Sequence, residues 1–147
     1  MLQRIQSIYL FLVFMCYSSY SYFGFEYYKK GYDLININFD FIFNLSSYIP
    51  YLISFICLVS IFLFKKRTLQ IKLVYACVCL SAYMVIFSGF YFYLSFNDLN
   101  EIMPSNSFKI LLYAAMINPF FSTYLLSLAL NYITNDEKLV RGEGLIR

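Results

Sequence analysis

Phe62-Leu63-Phe64-Lys65-Lys66-Arg67-Thr68-Leu69-Gln70-Ile71-Lys72-Leu73 is a cationic hinge between two long apolar runs. Lys65, Lys66, Arg67 and Lys72 crowd positive charge into a short connection, and short loops with that bias stay on the cytoplasmic side of a membrane. The hinge therefore orients the rest of the chain. Residues 48–64 before it predict a short span of roughly 25 Å at 1.5 Å per residue, with Pro50 in the first helical turn, where its missing N–H costs nothing. Residues 71–96 after it predict a span long enough to tilt or protrude.

Composition agrees with a membrane chain. Hydrophobic residues make up 61% and charged residues 13%, whereas soluble domains have about a quarter of their residues charged. The 147 residues supply several spans and leave no room for a second globular domain. The net charge of +3 is modest, and the basic residues cap apolar runs rather than forming a stripe with interleaved aromatics, which argues against nucleic-acid binding. Tyr and Phe are abundant beside Asn, Ile and Lys, the residues an AT-rich genome favours, so the aromatics do not by themselves mark a ring-lined site.

Cys16, Cys57, Cys77 and Cys79 all lie in apolar runs, where cysteine behaves as a small hydrophobe, and no disulfide framework is expected. Cys77 and Cys79 point about 200° apart on a helix, a poor metal clip. With His absent, neither a cofactor nor a metal site is expected.

Working outward, residues 5–23 predict a retained first helix. Arg4 precedes it, and no small-x-small cleavage site of the Ala-x-Ala kind follows. Residues 24–47 form the first outer loop. In it Ile35, Ile37, Phe39 and Phe41 alternate with polar residues at the period of a strand, and Phe25-Glu26-Tyr27-Tyr28 with Lys29-Lys30-Gly31 predicts a partner strand and turn. The apolar face of this ribbon-like loop is a candidate interaction surface. Residues 97–107, acidic and containing Pro104, predict the second outer loop, residues 108–133 the fourth span, and residues 134–147 a cytoplasmic tail. Arg4, Lys65, Lys66, Arg67, Lys72, Lys138, Arg141 and Arg147 fall inside and Lys29, Lys30 and Lys109 outside, which favours both termini in the cytoplasm. The expected fold is an all-α membrane protein, a four-helix transmembrane bundle.

Three stretches carry a family resemblance: Met1-Leu2-Gln3-Arg4-Ile5-Gln6-Ser7-Ile8-Tyr9-Leu10, the hinge Leu63 to Leu73, and the tail Asp136-Glu137-Lys138-Leu139-Val140-Arg141 ending in Ile146-Arg147. In that order they resemble the bacterial membrane family catalogued as domain of unknown function 4293. The resemblance implies a four-span protein of the inner membrane of Gram-negative bacteria and carries no activity with it. The tail departs from the family pattern at Gly142-Glu143-Gly144-Leu145, where each glycine costs about 1 kcal/mol of helix stability relative to Ala.

Asn118, followed by Pro119, is a strongly polar residue near the middle of a span. It suits interhelical packing at a kink better than a transport path, since no ionisable residue lies nearby. Ala76, Ser81, Ala82, Ser88 and Gly89, with Ala114, Ala115, Ser122 and Ser127, mark candidate close contacts between the third and fourth spans. Glu26, Asp33 and Asp40 read as a solvated loop, not a catalytic carboxylate set, which needs fixed separation and a raised pKa. Gln3, Arg4, Lys65, Lys66, Arg67, Gln70, Asp136, Glu137 and Arg141 emerge at one membrane face and form the candidate cytoplasmic interaction surface. The chain reads as a non-catalytic accessory or assembly subunit of a larger membrane complex, in contact with lipids and other membrane subunits. A small homo-oligomeric transporter or channel is the alternative, and a lipid-acting enzyme the weakest reading.

Overall fold

The computed structural model describes residues 2–26, 28–30, 40–64, 66–102, 106–140 and 142, with side chains for all of these except residues 2–4, 40, 94–102 and 108. Among the described residues no strand occurs. Helix α1 spans Leu2–Ser19 and runs into a π-helical segment, Tyr20–Gly24. Helix α2 spans Asp40–Phe62, α3 Arg67–Ile102 and α4 Asn106–Val140. Segments Phe41–Phe62, Arg67–Tyr93 and Lys109–Val140 are long and apolar enough to cross a membrane.

The inward stripes follow the 3- and 4-residue steps of a helix face. In α1 the buried positions are Gln6, Leu10, Val13 and Tyr17, followed in the π segment by Tyr20 and Gly24. In α2 they include Phe43, Ser46, Ile49, Ile53, Cys57 and Ser60; in α3 Gln70, Val74, Cys77, Ser81, Met84 and Tyr91. Helix α4 adds Leu112, Ala115, Ser122, Leu126, Ala129, Ile133 and Asp136. Helix α1 packs on α2 and α4, and α3 packs on the same two. The outward stripes are apolar as well: Phe55, Tyr75, Ile86, Ile117 and Phe121 are all exposed. Helices apolar on both faces suit an apolar solvent rather than water.

The helices are longer than the sequence pattern predicts. Helix α2 begins at Asp40 rather than at residue 48, so Pro50 lies inside it and not in its first turn. An interior proline costs about 3 kcal/mol, here set against the buried stripe that Phe43, Ser46 and Ile49 continue toward the N-terminus. Helix α3 continues through Asn97–Ile102, read from the sequence as loop. No helix breaker precedes Pro104, and only the residue before a proline is biased away from helix. Helix α4 runs on through Asp136 to Val140, where Gly142 at φ 75° turns its amide back to the Leu139 carbonyl (3.3 Å). A left-handed glycine just past a helix end is a common stop.

The expected ribbon is also revised. Phe25, Glu26 and Tyr28–Lys30 are helical, and Phe41 belongs to α2, 79% exposed. Ile35, Ile37 and Phe39 lie outside the described residues. The partner strand expected over residues 25–28 is a local reading, and at Tyr28 tertiary contact overrides it. Tyr28 is buried, its hydroxyl bonded to Ser88 (2.7 Å), and its carbonyl accepts from the Tyr91 hydroxyl (3.2 Å).

Candidate interaction face and interhelical polar contacts

At one end of the molecule the start of α1, the α2–α3 turn and the end of α4 meet. Gln6 extends the inward stripe of α1 to this level, and its amide nitrogen donates to the Asp136 carboxylate (2.5 Å) and the Tyr132 carbonyl (3.3 Å). Asp136 is only 8% exposed. Arg67 Nη1 donates to the Asp136 main-chain carbonyl (3.1 Å), tying the hinge to α4. Gln70 is 3% exposed and donates to the Ser60 carbonyl (3.1 Å), meeting an acceptor near the C-terminus of α2. The rings of Tyr9 and Tyr132 stack at 5.7 Å beside this cluster.

Of the residues expected to form a recognition surface here, Gln70 and Asp136 are therefore buried between helices. Lys66 is exposed, and Arg67 and Glu137 are half-buried. The side chains of Gln3, Arg4, Lys65 and Arg141 lie outside the described residues. Gln6 is not among the residues expected here; its signal is its place in the Gln6, Leu10, Val13, Tyr17 stripe, a polar group aimed where only a partner makes burial tolerable.

In the middle of the helices Asn118 Nδ2 donates to the Cys16 carbonyl (3.1 Å), and Asn118 Oδ1 accepts from the Ser122 hydroxyl (3.0 Å). Both ends of the amide are thus engaged, one on α1 and one on its own helix. Pro119 lies inside α4 and supplies no N–H for the Ala115 carbonyl. One residue on, the Met116 carbonyl accepts from Ser88 of α3 (2.9 Å), the kind of neighbouring hydroxyl that supports a proline turn in lipid. Because Ser88 gives its proton to Met116, the Tyr28 hydroxyl is the donor in the Tyr28–Ser88 bond. Burial pushes the Tyr28 phenol up, against the lowering effect of its bond to Ser88. Of the small residues expected at the α3–α4 contact, Ser81, Ser88, Ala115 and Ser122 are buried and Ser127 half-buried, whereas Ala76, Ala82, Gly89 and Ala114 face outward.

The family model described as Domain of unknown function (DUF4293) matches residues 2–143. The chain belongs to that family. No curated protein and no solved structure matches it. In this DUF4293 chain, described parts of the three family-like stretches meet in one place. Gln6 comes from the first, Arg67 and Gln70 from the hinge, and Asp136 from the tail. Joining segments far apart in sequence through buried polar bonds fixes how α1, α3 and α4 meet.

Proposed function

We propose that this DUF4293 protein is a four-span protein of the bacterial inner membrane, its helices forming a transmembrane bundle with both termini cytoplasmic. We further propose that it acts as a non-catalytic accessory or assembly subunit of a larger membrane complex. The observation that carries the reading is the use of the mid-span amide. Asn118 is engaged at both its nitrogen and its oxygen by α1 and α4, an arrangement that suits helix packing and leaves it poorly suited to line a polar path. Support for a fourth span comes from α1, whose outward residues Ile8, Phe11, Leu12 and Met15 are as apolar and exposed as those of the longer helices. Orientation rests on the basic bias of the hinge and tail.

Partner recognition is assigned to the hinge and tail side chains that face outward at the cytoplasmic end, Lys66 and Lys138, while Gln70 and Asp136 hold the helices together. Mild detergent extraction followed by native mass measurement tests this. A stoichiometric heterologous partner is expected, and its association should weaken in Lys66→Glu/Lys138→Glu without a change in thermal midpoint. Recovery of the chain only as a monomer overturns the subunit reading. Recovery as a homo-oligomer whose liposome flux collapses on Asn118→Leu replaces it with transport.

A further inference from the structure

Cys57 of α2 and Cys77 of α3 lie on the inward stripes of facing helices, and both are 0% exposed. Their sulfurs stand 4.0 Å apart, in the same buried core as Tyr17 of α1. The short turn after α2 and the Gln70 bond to Ser60 hold the two helices in one register, with Ser60 a single turn from Cys57. By contrast Cys79, two residues on from Cys77, is exposed on the outer face. The molecule thus pairs two thiols in its apolar interior and keeps them from the surface.

We propose that Cys57 and Cys77 form a reversible cross-link site, closing to a disulfide when a lipid-soluble two-electron acceptor of the quinone class is available. In this step two S–H bonds break and one S–S bond forms. The pair loses two electrons and two protons, and the quinone takes up both to become the quinol. The sulfurs close from 4.0 Å to about 2.05 Å. A soft monovalent metal is the other chemistry two thiols offer. Two thiolates around one such ion leave a net negative charge in an apolar interior, which is costly, whereas a disulfide leaves the interior neutral. An acceptor that partitions into the apolar phase suits a pair sealed from water. The cross-link closes a loop through the hinge and restrains the separation of α2 from α3.

The test uses the full chain reconstituted in lipid vesicles, as Cys16→Ala/Cys79→Ala so that only the interior pair remains. Vesicles are treated with a short-chain quinone or with diamide and quenched in acid. The chain is then denatured, alkylated with a maleimide and weighed intact. The expected result is loss of both adducts together, their return after dithiothreitol, and retention of the single adduct in a further Cys57→Ser variant. Two adducts remaining at saturating oxidant overturn the proposal, as does loss through a covalent dimer. Loss that needs added copper(I) and reverses with a chelator assigns the pair to metal binding instead. Should the double variant not fold, peptide mapping of the native chain reads the same Cys57–Cys77 linkage, and in it modification of exposed Cys79 without that linkage is equally decisive against it.

Discussion

Asp136 shows how one residue changes meaning between sequence and structure. In the sequence it is an acid in a charged tail, matched to the basic hinge and suited to exposed recognition. In the fold it is buried beneath Gln6, with Arg67 on its main-chain carbonyl. Removing one partner of a buried hydrogen bond leaves the other unsatisfied at about 1–3 kcal/mol. Asp136→Ala should therefore lower unfolding stability by that amount, measured by denaturant titration in detergent, while Lys138→Ala, exposed two residues on, should fall within roughly 0.5 kcal/mol of the native chain. Combining Asp136→Ala with Gln6→Ala should cost less than the sum of the two, since they share one bond. Equal, small effects at 136 and 138 would return Asp136 to the surface role. From the sequence Asp136 and the hinge are expected at one membrane face, and in the fold they share one end of the molecule. The sequence does not show which acid turns inward, because that is set by the rotation of α4 about its own axis.

Among the elements, the π-helical segment Tyr20–Gly24 is the one no sequence pattern announces. A π turn bonds five residues ahead, as Phe25 N–H does to the Tyr20 carbonyl, and the return to α spacing leaves a carbonyl without a helical donor. Tyr51 of α2 donates its hydroxyl to the Ser21 carbonyl in this segment (3.3 Å). Gly24 sits where the segment meets α4, and a Cβ there would lie 3.0 Å from Tyr20 Cδ2 and 3.3 Å from Ala115 Cβ. Tyr20 is itself buried, so its ring has little room to yield. Gly24→Val should cost about 1–3 kcal/mol by overpacking, and Ala115→Gly in the same chain should recover part of that loss. A neutral Gly24→Val, or no recovery with Ala115→Gly, would remove the close approach of α1 and α4 at this point. The existence and order of the helices, the first included, are legible from the apolar runs. Their ends were misread at Pro50, which signals a start but lies inside α2, and at the acidic run 97–102, whose polarity signals a loop although nothing before Pro104 stops the helix.

For the whole molecule the question is which end faces the cytoplasm, and the two ends differ in kind. One end gathers Gln6, Arg67, Gln70 and Asp136 into buried polar bonds, with Lys66 and Lys138 facing outward. Toward the other end Tyr28, Phe43, Phe87 and Tyr91 pack as an aromatic cluster, with the Tyr28 and Tyr91 rings 4.8 Å apart, and Lys29 and Lys30 are exposed just beyond. Between them the outward surface is apolar on every helix, so the intervening length suits hydrocarbon. Both ends carry lysines, and charge type alone does not separate them. The bias lies in number and position: Lys65, Lys66 and Arg67 are consecutive in the sequence between two apolar runs, where positive charge most strongly opposes translocation. Position 66 is therefore expected in the cytoplasm and position 30 outside. Lys66→Cys and Lys30→Cys, each in a chain whose exposed Cys79 is replaced by Ala, test this with a membrane-impermeant maleimide on intact cells and on inverted vesicles. Position 30 should label from the outside of cells and position 66 only in inverted vesicles. Labelling of both from one side would mean that the chain does not cross the membrane an odd number of times between them, and the four-span arrangement would fall with it.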